Sequence, residues 1–214
     1  MNIPQYEIDK LAPTVRDEFL RWDDYMDKNV VFNMAESKIH AKPHCERVLL
    51  YALIMGKKIF GDDRDALTAL AHASIFHDTR RQDDYLDTGH GARAAVYYRQ
   101  FCEQHPEMHY YPEAAYLMRY HDLNDNKGRE AIIRDFGNDA QRVLKLYDIF
   151  KDADALDRWR LGRHGLDPKY LRTPEAKSLI RYARHIVDET MPKDLLQEIE
   201  TEVDRLMKAN GKAR

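Results

Sequence analysis

Apolar residues along this chain recur at the three- and four-residue spacing of an α-helix, and this spacing extends over most of its length. Paired alternating segments joined by a short turn, which would indicate a β-hairpin, are not found. The pattern therefore predicts an all-α fold. We expect helices at about residues 5–21, 23–35, 43–60, 64–78, 90–104, 111–122, 138–161, 173–190 and 193–209.

The organisation of the chain is that of one domain. Pro43 and the pair Thr173 and Pro174 stand where helices are expected to begin, because proline suits the first helical turn and threonine caps it. The sequence contains no internal repeat, low-complexity tract or linker. We therefore expect residues 1–214 to form a single all-helical domain, ending in a frayed tail at 208–214.

The composition excludes several classes of protein. Apolar residues make up 43% and charged residues 33%, which indicates a soluble globular chain rather than a disordered one. The net charge of -3 provides no general attraction for nucleic acid or for an anionic membrane, so neither is predicted as a partner. Two cysteines, no apolar run of about 20 residues and no secretory signal favour a cytoplasmic location. The oligomeric state stays open.

Ionisable residues lie on the apolar stripes of five predicted helices. An unpaired charge in a protein core costs several kcal/mol, so such groups are rarely kept without a partner. A single buried histidine is usually a hydrogen-bonded core residue, and a single aspartate usually a cap or an ion-pair partner. Five such segments together favour a metal ion, which both residue types can ligate. The residues are His44, His77, Asp78, His90, His121, Asp154 and Asp157.

Four of these residues carry a resemblance to a known family. They are His44 in "HCERVLL", His77 and Asp78 in "FHDTRR", and Asp154 in "KDADALD". This ordered H…HD…D set resembles the HD superfamily of metal-dependent phosphohydrolases. The resemblance implies an HD-domain bundle of about seven to nine helices. Its metal-binding core would span about 40–165, with the C-terminal helices 173–209 packed on that core.

Two further histidines resemble the subgroup of this family that holds two metal ions. His90 in "HGARAA" and His121 in "MRYHD" lie between the HD pair and the last aspartate, although the gap from Asp78 to His90 is short. The resemblance implies that Asp78 bridges two ions. One ion would be completed by His44, His77 and Asp154, and the other by His90 and His121. One or two divalent ions are implied, from among Mn, Fe, Co, Ni and Zn, with Mg open for a second site.

The implied reaction is hydrolysis of a small phosphorylated substrate, for which a nucleotide is the expected class. Monoester, diester and pyrophosphate bonds all stay open. Cations near the metals would hold the phosphate charge, and Asp157 would orient a metal ligand or the attacking water. The predicted catalytic residues are Asp78, Arg80, Arg81, Lys151 and Asp157, with Arg158, Arg160 and Arg163 as further cations.

Several neighbouring residues receive other interpretations. Asp152 falls on a face expected to be solvated, and His40 is expected in the loop before the helix that begins near Pro43. Tyr110, Tyr111 and Trp159 are candidates to stack on a base, although aromatic residues at helical spacing are more often core.

Two other functions stay open. A mixed-valent diiron HD-type oxygenase of a small substrate could use the same ligands, and iron content with oxygen uptake would distinguish it. A non-catalytic nucleotide-binding regulatory module is the second alternative. The complete set of ligands argues against that module, because lost activity usually accompanies lost ligands.

Overall fold

A computed structural model describes the backbone of residues 1–211 and the side chains of residues 1–208. Within these residues every element is helical and no strand occurs, so the predicted all-α class is confirmed. The helices are α1 Gln5–Ile8, α2 Pro13–Asn29, α3 Lys42–Phe60, α4 Arg64–Phe76, α5 His90–Gln104, α6 Pro112–Tyr120, α7 Asp125–Phe136, α8 Ala140–Leu156, α9 Pro174–Thr190 and α10 Lys193–Gly211. The predicted tail at 208–214 lies partly outside these residues, and α10 continues through its first four positions.

The N-terminal helices divide differently from the prediction. The break falls at Pro13, which begins α2, and Ala12 before it is extended (φ -56°, ψ 143°) because the proline ring disfavours helical backbone there. The predicted break near residue 22 is wrong. The buried side chains of Val15, Phe19, Trp22 and Met26 form one continuous stripe on α2.

Helix α7 was not predicted, and the predicted helix 138–161 is shorter than expected. α8 ends at Leu156, and Asp157–Leu161 forms a 3-10 turn. Asn124 caps α7 by accepting a hydrogen bond from the Asn126 N–H at 3.0 Å. A Cβ atom on Gly128 would lie 2.5 Å from the Tyr147 hydroxyl. Glycine therefore lets α7 approach α8. Because this glycine stands within a run of polar residues, the sequence pattern did not predict a helix here.

The core is one contiguous cluster of buried apolar residues that extends from Ile3 to Ile186. Helix α3 lies at its centre and packs against α2, α4, α8 and α9, while α5 packs mainly on α6. Helix α9 packs on α8 and α3, whereas α10 contacts chiefly the 3-10 turn at 157–161. None of the helices within residues 1–211 combines the length and apolar character that crossing a membrane requires.

Ends of five helices meet at one side of this core. The first turns of α3 and α5, the last turn of α8 and the residues that follow α4 and α6 all lie there. The polar residues predicted at the ends of apolar stripes are therefore brought together, although they are up to 110 residues apart in sequence.

Candidate metal centre

Six predicted ligands converge where these helix ends meet. Five of the six side chains are at least nine-tenths buried, and that of Asp154 is about a quarter exposed toward a cleft. The six are His44 of α3, His77 and Asp78 after α4, His90 of α5, His121 after α6, and Asp154 of α8.

His44, His77 and Asp154 form the first group. The Nε2 atoms of His44 and His77 are 3.0 Å apart, and Asp154 Oδ1 lies 3.4 Å from His44 Nε2. One ligand atom from each of these residues lies within 4.8 Å of the other two. This group could hold a metal ion, and it is the set predicted for one ion.

The second group is built around Asp78. Its Oδ1 atom lies 3.0 Å from His90 Nε2 and 3.5 Å from His121 Nε2, while the two Nε2 atoms are 2.8 Å apart. Its Oδ2 atom lies 3.6 Å from His44 Nε2. The carboxylate of Asp78 therefore lies between the two histidine pairs. One ligand atom each from His77, Asp78 and His121 also lie within 4.8 Å of one another. The His77 ring therefore contacts both the first and the second group.

The Nδ1 atom of each imidazole points away from the centre and makes a hydrogen bond there. Three Nδ1 atoms face backbone carbonyls, and the His44 Nδ1 faces the Asp157 carboxylate at 2.7 Å. These oxygens only accept hydrogen bonds, so each Nδ1 carries a proton and Nε2 of the neutral ring has an unshared pair. The carbonyl pairs are His77 with Ser74 at 2.9 Å, His90 with Asp87 at 2.6 Å, and His121 with Met118 at 2.7 Å.

This arrangement fits a cation between the imidazoles. Two neutral rings that face each other through unprotonated Nε2 atoms at 2.8 and 3.0 Å repel unless a positive charge lies between them. Metal-ligating histidines donate their other N–H to such acceptors, which fixes the tautomer and the ring orientation. Separations of about 3 Å also suit two nitrogens that bind one ion through bonds of about 2.1 Å.

The ionisation of the centre is that of a ligand set. Burial lowers the pKa of His77 to about 3, so its ring is neutral near pH 7. Burial raises the pKa of Asp78 and Asp154, but the surrounding imidazoles outweigh it and hold both pKa values well below their usual range. For His121, burial lowers the pKa, but Asp78, Asp154 and the Met118 carbonyl together raise it above its ordinary value. A cation that binds His121 must therefore displace a proton.

Asp157 lies behind the centre rather than in it. Its fully buried carboxylate accepts hydrogen bonds from Nε and Nη2 of Arg47 at 2.6 and 3.0 Å. It also accepts one from His44 Nδ1. Of the two predicted roles, the structure supports orienting a ligand. Orienting the attacking water is not supported, because Asp157 does not line the cleft.

A cleft of about 390 Å³ opens beside the six ligands. Arg81 lines it with Nε 3.3 Å from Asp78 Oδ2. Arg160 is 5% exposed and donates from Nε to the Ile39 carbonyl at 2.7 Å. Its Nη1 lies 3.7 Å from Asp157 Oδ2 and has no hydrogen-bond partner within residues 1–208. The exposed Arg158 also lines the cleft. Guanidinium groups suited to an anion therefore border the candidate metal site.

The structure does not bring Arg80 or Arg163 to this cleft. The Arg80 guanidinium lies over the Tyr97 ring, 3.2 Å from its centre, and donates to the Val31 carbonyl at 2.7 Å. The chain turns after α4, so the adjacent side chains of Arg80 and Arg81 point to different sides. Arg163 pairs with Asp204 on the surface.

Lys151 lines the cleft, but its ammonium group is already engaged. It donates to the carbonyls of His121 at 2.6 Å and Leu123 at 3.0 Å, and it lies 3.2 Å from Asp125. Burial lowers the pKa of Lys151. The contacts are those of a residue that fixes the backbone after α6.

Asp152 is buried, so the prediction that it lies on a solvated face is wrong. Its carboxylate accepts hydrogen bonds from Thr173 N at 2.7 Å, from the Thr173 hydroxyl at 2.8 Å and from Arg172. It thereby joins α8 to the start of α9. Of the aromatic residues predicted to stack on a base, none lines the cleft: Tyr110, Tyr111 and Trp159 lie elsewhere.

His40 and Asp122 are two of the cleft residues that were not among the predicted site residues. His40 precedes α3 as expected, but it is buried, lines the cleft and places Nδ1 3.0 Å from Asp84 Oδ1. Asp122 accepts the Gly89 N–H through Oδ2, and its Oδ1 is buried without a partner. The four-residue spacing of His40 from His44 and the adjacency of Asp122 to His121 were the available signals.

No family model, curated protein or solved structure matches this chain, so the interpretation of the centre depends on its own geometry.

Proposed function

We propose that this chain is a metal-dependent phosphohydrolase of the HD superfamily that acts on a small phosphorylated substrate, with nucleotides as the expected class. The observation that carries the proposal is the arrangement of two facing imidazole pairs, His44 with His77 and His90 with His121, with Asp78 between them, beside a cleft lined by arginines. The proposal needs both the ligands and the arginines, because the ligands account for a metal and the arginines account for an anionic substrate.

The donors favour two divalent ions among Mn, Fe, Co, Ni and Zn. Four imidazoles argue against a centre that holds Mg alone, because Mg prefers oxygen ligands, although a second site could take it. Bound ions would supply Lewis acidity toward the phosphoryl oxygens and make water a better nucleophile near neutral pH.

The residues of the chain would bind and orient the substrate. Arg81 and Arg160 present guanidinium groups beside Asp78 and Asp154, and this planar donor suits phosphate oxygens. Asp157 and the three backbone carbonyls hold the imidazole rings in place. The cleft volume falls at the lower end of the range for small-molecule sites, about 300–1,000 Å³. This supports a small compound as substrate.

The test is phosphate release by chelator-treated protein reloaded separately with Mn²⁺, Fe²⁺, Co²⁺, Ni²⁺ or Zn²⁺. The substrates are nucleotides with monoester, diester and pyrophosphate bonds, assayed with and without oxygen. We expect metal-dependent release that does not require oxygen and that falls a hundredfold or more in Asp78→Asn. The half-buried His105, which does not line the cleft, provides a control, since His105→Ala should leave release unchanged.

Two outcomes would contradict the proposal. Oxygen uptake with iron and no phosphate release with any metal would favour the diiron oxygenase. Nucleotide binding without turnover, unaffected by Asp78→Asn, would favour the regulatory module.

A further inference from the structure

Two large apolar side chains are exposed to solvent at the mouth of the cleft beside the candidate metal ligands. Tyr85 is 86% exposed and Leu86 is 92% exposed, more than any other large apolar side chain in residues 1–208. Both line the cleft. Single exposed apolar residues are ordinary, but an adjacent pair at the rim of a polar pocket is a feature of ligand sites.

The segment that carries them, residues 83–88, is here called the rim segment, and its backbone is anchored. Tyr85 N donates to Asp83 Oδ1 at 2.7 Å, and Asp87 accepts both the Gln82 N–H at 2.7 Å and the Arg93 guanidinium at 2.6 Å. Asp84 accepts from the Ser37 hydroxyl at 2.5 Å. The carboxylates of the rim segment are thus occupied within the protein, while no part of residues 1–208 covers its two apolar side chains.

Arg81 fixes the rim segment relative to the metal ligands. Its Nε lies 3.3 Å from Asp78 Oδ2, and its Nη1 donates to the Tyr85 carbonyl at 3.3 Å. A substrate whose phosphate lies beside Asp78 and Arg81 would therefore extend its other end toward Tyr85.

The cleft has two apolar lining residues besides Tyr85 and Leu86. Leu123 and Leu161 also line it, whereas its other lining residues are mostly charged or histidine. The cleft thus combines a charged part at the candidate metals with apolar side chains at its rim. A bare phosphate or a small polar phosphate ester would use only the charged part.

Building on the proposed function, we infer that the substrate carries a planar aromatic group, of the kind a nucleobase provides, and that Tyr85 stacks on it with Leu86 alongside. The rim segment then determines specificity, while the metals and arginines act on the phosphate. Stacking of a base on an aromatic side chain changes affinity by roughly tenfold or more.

Two classes of probe isolate this contact. Ribose 5-phosphate and the four ribonucleoside 5′-monophosphates present the same phosphate ester and differ only in the base. Affinities are measured by calorimetry on chelator-treated protein, so that binding is read without turnover. At least one nucleotide should bind about tenfold more tightly than ribose 5-phosphate. Tyr85→Ala should remove that difference and Tyr85→Phe should keep it.

The matched control is Tyr170→Ala, because Tyr170 is also largely exposed but does not line the cleft. This variant should leave all affinities unchanged, and Leu86→Ala should reduce the nucleotide preference in part. The inference is overturned if no nucleotide binds better than ribose 5-phosphate, or if Tyr85→Ala weakens both probes equally. Failure of the proposed function would instead appear as absent phosphate release while the nucleotide preference persists.

Discussion

His44 differs from the other histidines of the centre in what holds its Nδ1 atom. The other three rings face backbone carbonyls, whereas His44 faces the Asp157 carboxylate, which is itself paired with the buried Arg47. A carboxylate makes an imidazole a stronger ligand than a carbonyl does and also contributes charge. We therefore expect both the metal affinity and the stability of the fold to depend on Asp157.

Asp157→Asn should weaken metal binding by about 10–100-fold, because the charge behind His44 is lost. It should also lower the free energy of unfolding by about 3–5 kcal/mol, because Arg47 keeps its buried charge without an ionic partner. Competition with a chelator measures the first effect, and urea unfolding measures the second.

Asp148→Asn, on helix α8 just before the turn that carries Asp157, is the control. Asp148 pairs with Arg129 near the surface, where such a pair contributes about 1 kcal/mol or less. Metal affinity should be unchanged in this variant. Equal metal affinity in Asp157→Asn and the unchanged protein would show that the carboxylate does not support the centre.

At the level of elements, the sequence predicted most helices because their ends carry local signals. Pro43, Thr173 and Pro174 could be recognised as helix starts without any tertiary information. The convergence of the six ligands followed from the apolar stripes together with the family resemblance. Helix α7 was missed because a glycine, Gly128, interrupts its helical pattern. The reason for that glycine is its close contact with Tyr147, which only the folded structure reveals.

Residues between the helices could not be placed from sequence. The opposite directions of Arg80 and Arg81, the burial of His40 and the approach of Arg160 to Ile39 all depend on loop paths. Periodicity carries no information on such paths, so the arginine side of the cleft was predicted less well than the convergence of the histidines and aspartates.

The close approach of α5 to α6 gives an element-level prediction. A Cβ atom on Gly91 would lie 2.3 Å from the Met118 carbonyl oxygen and 2.7 Å from His121 Nδ1. Gly91→Ala should therefore separate α5 from α6 and lower the free energy of unfolding by about 1–3 kcal/mol. It should also weaken metal binding at the His90 and His121 side, measured as loss of one class of bound ion.

Gly56→Ala is the comparison, since its Cβ would meet only side-chain ends of Leu70 and Leu67. That variant should retain its metal content even if its stability falls. Unchanged metal content in Gly91→Ala would contradict the role assigned to this helix contact.

Across the whole molecule, buried histidines connect stability to pH. Burial lowers the pKa of His72 and His77 to about 3 and that of His40 to about 4, from an ordinary value of 6.5. Below pH 6.5 the unfolded chain therefore binds more protons than the folded chain. Stability from these groups is complete above pH 6.5 and decreases as the pH falls toward their folded values.

Each of these histidines should cost the chelator-treated protein about 1.5–2 kcal/mol of unfolding free energy between pH 6.5 and pH 5. Asp23, whose pKa burial raises to about 6, offsets part of this loss because its folded form binds a proton in the same range. His121 does not oppose this loss, because its raised pKa changes stability only above pH 6.5. Urea unfolding at pH 7, 6 and 5 measures the dependence. His72→Gln should remove one histidine's share, and a free energy of unfolding that is flat from pH 7 to 5 would refute the account.

The most direct test of the metal centre is the number of divalent ions that the folded protein retains. Chelator-treated protein is dialysed against Mn²⁺ or Co²⁺, freed of excess metal and analysed for metal per chain, with folding checked by circular dichroism. We predict two ions per chain, fewer than one in His77→Ala and in Asp78→Asn, and two in His72→Gln, whose histidine is buried on α4 away from the centre. A folded protein that retains no divalent ion, or variants that retain as much as the unchanged chain, would contradict the central claim.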